Sequence, residues 1–365
     1  MEKNIRSILS KDNLNKEDLV YLLEADENSA KLIYRKAAEV KSKYSGNLTY
    51  FRGLIEYSNQ CAKNCYYCGI RKENSNAGRY TLSDEEVFSA VDYALKRNWG
   101  SIVIQAGEIQ SESFTTKIVR LVSNIFAMSN PAPGITLSLG EQDENALKRW
   151  YNAGATRYLL RIETSDKQLY YKLHPQDDKH CFEQRIAALK TLQKLNFMTG
   201  TGVMIGLPFQ TNEHLAGDLM FMREMDIDMC GMGPYIEHVD TPLNAKRGLL
   251  LPIKDRLFLS LKMIAILRII MKDINIASAT ALQAIDPVGR EKGIEVGANV
   301  IMPNITPVKY HKNYNLYKGK PQIVSETDEY INGLIAQIER AGDRVGFGMK
   351  GDPLHYFNRK KGVRR

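Results

Sequence analysis

Cysteine is scarce in this chain of 365 residues: there are five, and Cys181 and Cys230 stand alone in sequence. So few thiols exclude a disulfide-stapled scaffold, which would need an oxidising compartment, and no apolar signal segment opens the sequence. A second cysteine pair is also missing, whereas structural zinc sites usually join a C-x2-C or C-x4-C pair to another pair downstream. Long apolar runs are absent. The densest stretch, Leu257 to Met271, carries Ser260, Lys262 and Arg268 at positions typical of an amphipathic helix, so no membrane span is expected and the protein reads as soluble and cytoplasmic. No low-complexity linker marks a second domain. Although the formal charge is +8, Arg359, Lys360, Lys361, Arg364 and Arg365 supply five of those charges, leaving +3. That tail reads as a solvated, frayed end rather than an RNA-contacting arm, and nucleic acid is not an expected partner.

The remaining three cysteines are concentrated. Cys61, Cys65 and Cys68 form a C-x3-C-x2-C run with Tyr67 before the last, directly after the strand-like stretch Arg52 to Tyr57. Three thiolates from one loop suit three irons of a 4Fe-4S cluster, leaving the fourth iron open for chemistry and sensitive to oxygen.

Around this loop the chain alternates short apolar or β-branched runs with longer amphipathic ones. Eight strands are expected: Arg52 to Tyr57, Ser101 to Gln105, Ile135 to Leu139, Arg157 to Arg161, Thr199 to Met204, Asp228 to Met232, Asn275 to Ser278 and Asn299 to Met302. Ser83 with Glu86 forms a capping-box pattern, and Asp143 and Gly154 bracket a second helix. The pattern predicts an α/β fold, a (β/α)8 TIM-type barrel over residues 47–322. A helical extension, 1–46, precedes it, and a C-terminal helix with its basic tail, 323–365, packs on or beside it. Polar residues cluster at strand ends: Gln105 and Glu108, Ser138 and Glu141, Arg161 and Glu163, and Thr280. In such a barrel these ends converge on the active-site mouth. Arg52, Arg157 and Arg161 would place fixed positive charge around an anionic ligand there. Tyr310, Tyr314 and Tyr317 form a stripe that either lids the cavity or packs in the core or on the surface.

The cysteine loop, its position and Tyr67 resemble the radical S-adenosylmethionine (SAM) superfamily. The resemblance implies that SAM binds the open iron and, on reduction, gives a 5′-deoxyadenosyl radical. Gln105-Ala106-Gly107-Glu108 resembles the superfamily's Gly-Gly-Glu motif for the cofactor ammonium, and Ser138 joins the cofactor set. Glu163 is placed for the ribose hydroxyls and Arg185 for the carboxylate. Gly200-Thr201-Gly202-Val203-Met204-Ile205-Gly206-Leu207-Pro208 resembles a Gly-x-Ile-x-Gly segment along the adenine, which Tyr67 also touches.

A closer resemblance, over about residues 34–317, is to the HydE family of FeFe-hydrogenase maturation, a biotin synthase-like group. It is carried by Phe51 to Asn59, Thr136 to Glu141, Ala155 to Thr164, Asp228 to Tyr235 and Gly297 to Asn304. It implies attack by the adenosyl radical on the sulfur of a cysteine-bound iron carbonyl cyanide complex. A reducing flavodoxin or ferredoxin and the maturases HydG and HydF are the implied partners. It also places an anion site near Thr280 and the amide of Ala279, and includes Tyr310 in the substrate set. Two features depart from the pattern: no cysteine follows Cys230, so the accessory cluster of many members is not expected, and Ile162 stands where some members have histidine. Biotin synthase would need cysteines where Gln105, Ser138 and Gly202 stand. A methylornithine synthase-like mutase remains the nearest enzyme alternative, with a noncatalytic iron-sulfur carrier or RNA-binding protein the alternative from another class.

Overall fold

The computed structural model describes residues 1–321 and 328–362. Its strands are β1 (Leu48–Phe51), β2 (Gly53–Ser58), β3 (Ser101–Ala106), β4 (Gly134–Ser138), β5 (Ala155–Leu159), β6 (Met198–Thr201), β7 (Met204–Ile205), β8 (Met229–Cys230), β9 (Gly233–Pro234), β10 (Asn275–Ile276), β11 (Val300–Ile301) and β12 (Arg344–Val345). Seven of the eight expected strands form one parallel sheet in the order β10-β8-β6-β5-β4-β3-β2. Every residue of β2 is buried, as befits a parallel strand covered on both faces.

The eighth expected strand, β11, pairs instead with β1 in a three-stranded parallel sheet, β11-β1-β12, whose other two members the sequence did not disclose. Short bridges still join its neighbourhood to both edges of the large sheet, Asn304 to Leu54 and Val300 to Ala277. Leu54 N–H donates to the Pro303 carbonyl at 2.7 Å, and Ser278 N–H to that of Val300 at 2.9 Å. The expected α/β barrel therefore closes through these few bonds. Its helices start where side chains satisfy free amides: Ser83 and Glu86 cap Asp84–Lys96 reciprocally, and Asp143 caps Glu144–Ala153, which ends at Gly154 with φ 121°.

Helices Lys16–Leu23 and Glu27–Ser45 pack against Asn212–Glu224 and Ile253–Ile270, and Glu2–Leu9 packs on Glu27–Ser45. This covering corrects one expectation. Ile253–Ile270 is not amphipathic in its surroundings, since Ser260, Lys262 and Arg268 are buried with its apolar residues. Lys262 Nζ donates to the carbonyls of Leu23 and Ala25 at the end of Lys16–Leu23, and Arg268 to those of Gly297, Lys272 and Ile274. The two cations that suggested a wet face satisfy carbonyls without helical partners, while Ser260 Oγ donates to the Arg256 carbonyl of its own helix at 2.7 Å.

Helix Asp328–Arg340, β12 and helix Leu354–Lys360 complete the described chain. The tail is not frayed through Arg359, whose Nη2 lies 2.9 Å from Asp228 Oδ2; Arg364 and Arg365 lie outside the described residues. Among the described residues no helix is long and apolar enough to cross a membrane.

Candidate active site

A cavity of about 270 Å³ opens at the C-terminal ends of the barrel strands, lined on one side by Cys61, Cys65 and Cys68. The loop that carries them leaves β2 and is held by Arg79. Its Nη1 donates to the carbonyls of Asn59 at 2.7 Å and Ile70 at 2.8 Å, and its Nη2 to that of Arg71 at 2.6 Å. One guanidinium thus gathers three points of a loop without regular structure. Gly107 supports the same loop from β3: a Cβ there would meet the Gln60 carbonyl and stand 2.7 Å from Cys61 Cβ. Close approach of the cysteine loop, rather than of a ligand alone, thus calls for glycine at this position.

The thiols are free of disulfides. Burial pushes all three up, Cys65 to about 12, and the charges of neighbouring thiolates add to the effect at Cys65 and Cys68. Three thiolates here need a cationic centre, which iron supplies, so the donor set fits a cluster. Among the described residues no group of His, Cys, Asp or Glu is arranged around a single metal ion. In a cluster each thiolate takes a separate iron, so the fit rests on the donors' chemistry.

A buried charge network adjoins the thiols, with Glu108 N–H donating to Cys61 Sγ at 3.3 Å. Lys63 Nζ stands 3.2 Å from both Glu108 and Glu141, Arg185 pairs with Glu141, and Glu141 N–H donates to Glu108 Oε2 at 2.8 Å. Burial raises the Glu108 pKa. For Arg185 burial disfavours the charge, but Glu141, Tyr170 and Glu108 outweigh it and hold the guanidinium protonated. Glu163, also raised by burial, pairs with Arg161 at 2.9 Å and adopts φ 68°, a left-handed conformation unusual for its type. Two backbone bonds fix it, Glu163 N–H to Gly202 O at 3.0 Å and Met204 N–H to Glu163 O at 3.1 Å. These bonds set Glu163 and Met204 side by side. Tyr67 is 3.2 Å from His174 Nε2, while His174 Nδ1 lies 2.9 Å from the Tyr170 carbonyl, so Nδ1 carries the proton and Tyr67 donates.

The cavity therefore brings together Cys61, Cys65, Cys68, Tyr67, Gln105, Gly107, Glu108, Ser138, Arg161, Glu163, Arg185 and Met204. It does not include four of the expected substrate residues. Arg52 and Arg157 face the opposite end of the barrel, donating to the carbonyls of Gly351 at 3.0 Å and Lys350 at 2.8 Å, with Asp352 3.1 Å from Arg157. Arg52 precedes its strand, and strand beginnings lie away from the mouth. Thr280 is adjacent to lining residues Ala279 and Ala281, but its hydroxyl accepts from Arg290 at 2.8 Å. Tyr310 stacks on Tyr80 with centroids 4.6 Å apart and donates to Glu86, whereas Tyr314 and Tyr317 of the same stripe do line the cavity.

Lys63, Arg79, His174 and His180 went unassigned in the sequence. Lys63 alone left a usable sign, as a cation inside the C-x3-C spacing. The two histidines support the loop from a separate segment, His180 Nε2 accepting from Asn64 N–H at 3.0 Å.

Residues 55–222 match the family model described as the Radical SAM superfamily. The chain is 41% identical over 315 residues to the [FeFe] hydrogenase maturase subunit HydE of Thermotoga maritima, covering 86% of each chain. It is 27% identical to 3-methylornithine synthase of Methanosarcina acetivorans, covering 94% of this chain and 92% of that one. The crystal structure of a methylornithine synthase superposes with TM-score 0.78 at 21% identity, covering 94% of this chain and 97% of that one, a likeness of fold.

Proposed function

From the premise that this chain belongs to the radical SAM superfamily and, within it, to the HydE family, and is a radical SAM enzyme, we propose that it serves FeFe-hydrogenase H-cluster maturation. Its substrate in this reading is a cysteine-bound iron carbonyl cyanide complex held in the barrel cavity. The observation that carries the reading is the 41% identity to the Thermotoga maritima maturase, against 27% to the methylornithine synthase.

When bound to the three thiolates, a reduced 4Fe-4S cluster supplies the electron that cleaves SAM to a 5′-deoxyadenosyl radical. The chain's own residues bind and orient. Glu108, with the backbone of Gln105 to Gly107, receives the SAM ammonium, and Arg185, held by Glu141, takes the carboxylate. Glu163 accepts from the ribose hydroxyls, while Tyr67 and Met204 border the adenine and Ser138 closes the cofactor side. Of the three arginines expected at the substrate, Arg161 alone lines the cavity, and it is assigned to the anionic part of the substrate. A flavodoxin or ferredoxin is the electron source, and HydG and HydF are the partners that supply and receive the iron species.

The test is anaerobic reconstitution followed by measurement of 5′-deoxyadenosine after dithionite addition, for the wild type and Cys65→Ala, with and without a cysteine-bound iron carbonyl cyanide complex. Cys65-dependent cleavage stimulated by the complex supports the reading. Cleavage indifferent to the complex moves the substrate to an amino acid, and no cleavage leaves an iron-sulfur carrier.

A further inference from the structure

The segment from Val239 to Lys254 has two contrasting faces. Inward, Leu243 and Leu250 pack with Tyr66 and Tyr67 of the cysteine loop, and Leu243 N–H donates to the Tyr66 carbonyl at 2.9 Å. Tyr66 lies between Cys65 and Cys68, so one layer of chain separates the segment's outer surface from the thiols. Outward, Val239 is 65% exposed, Leu249 57%, Leu251 47% and Ile253 38%. Lys246, Arg247 and Lys254 stand exposed among them and outnumber the two acids at the segment's borders, Asp240 and Asp255. Isolated apolar residues on a surface need no explanation, but a group of them interleaved with three cations marks a contact face.

We propose that this outer face is the docking surface for an acidic one-electron carrier protein that reduces the cluster, an inference that rests on the radical SAM reading above. Charge complementarity selects an acidic partner and accelerates encounter, while the small apolar group seats it. Electron-transfer contacts are typically small and short-lived, so a few exposed apolar residues ringed by cations are enough to seat one. Docking here brings the carrier to the backbone of the cysteine loop without entering the cavity where SAM and substrate bind.

The test uses the full, anaerobically reconstituted enzyme with SAM and measures the initial rate of 5′-deoxyadenosine formation under two reductants, dithionite and an acidic flavodoxin kept reduced. The variant is Lys246→Glu with Arg247→Glu and Lys254→Glu; its control, Lys31→Glu with Arg35→Glu and Lys43→Glu, makes the same change of charge on helix Glu27–Ser45. The expected result is an unchanged dithionite-driven rate in both, with KM for flavodoxin raised at least tenfold and its salt dependence flattened only in the patch variant. An unaltered flavodoxin KM, or an equal rise in the control, would overturn the proposal, as would patch-dependent binding to anionic lipid vesicles with flavodoxin kinetics unaffected. A wild type that cleaves no SAM even with dithionite would remove the radical SAM reading itself, which the two-reductant design separates from failure of docking.

Discussion

Lys63 occupies the point where Glu108 and Glu141 converge, and Arg185 closes the group from the other side of Glu141. Two cations and two anions share a space with little water, so each charge depends on the other three. Glu141→Gln should leave Arg185 short of its partner and weaken SAM binding at least tenfold, about 1.4 kcal/mol, with iron content unchanged. Titration of the reconstituted enzyme with SAM checks this; unchanged affinity would mean that Glu141 does not orient Arg185. Glu141 was visible in the sequence as a polar residue at a strand end. Its partnership with Lys63 was not, because the two are 78 positions apart and meet only where the parallel pairing of β2, β3 and β4 sets their loops side by side.

Among the elements, helix Asn212–Glu224 carries one acid on its buried side, Asp218. Its Oδ1 accepts from Ser165 N–H at 2.6 Å and Ser165 Oγ at 2.7 Å, and burial raises its pKa to about 7. The helix thereby fixes the chain just after Glu163, whose left-handed backbone needs external support. Asp218→Ala should cost about 1–3 kcal/mol and most of the SAM cleavage, whereas Asp218→Asn, which keeps an acceptor oxygen, should cost less. Thermal unfolding and deoxyadenosine yield, measured side by side, distinguish the two. Where β3 ends, Gly107→Ala should displace Cys61 and lower the iron bound per chain on reconstitution. Full iron loading in that variant would show that the loop yields without losing its ligands.

At the scale of the whole molecule, the C-terminal chain closes the end of the barrel opposite the site. Lys350, Gly351 and Asp352 engage Arg52 and Arg157, and Asn275 Nδ2 donates to the Gly351 carbonyl at 2.7 Å. His355 bridges Asp273 at 2.8 Å and Asp226 at 2.7 Å. Burial works against its charge, but the two carboxylates prevail and raise its pKa from 6.5 to about 9. A raised pKa means that the folded state holds the proton more tightly. The resulting stability, of order 3 kcal/mol, is fully present below pH 6.5 and lost as pH rises through about 9. Between pH 7 and 10 the melting temperature of the wild type should therefore fall more steeply than that of His355→Gln. Parallel curves would show that His355 carries no such linkage.

The sequence by itself determined the barrel class, the positions of its main strands and helices, and the family. Those rest on local information: strand-forming runs, caps such as Ser83 and Asp143, and the spacing of Cys61, Cys65 and Cys68. Tertiary structure decided which charged residues face the cavity. Arg52, Arg157 and Arg161 were equivalent as cations in the sequence, yet two bind the C-terminal chain and only Arg161 reaches the mouth. The difference lies in position along a strand and in partners that are distant in sequence. A shift of two residues, from the expected Arg157 to Arg161 to the observed Ala155–Leu159, moves a side chain between barrel wall and loop. Local pattern fixes that a strand exists, but its end and its partners are set by packing against the rest of the chain.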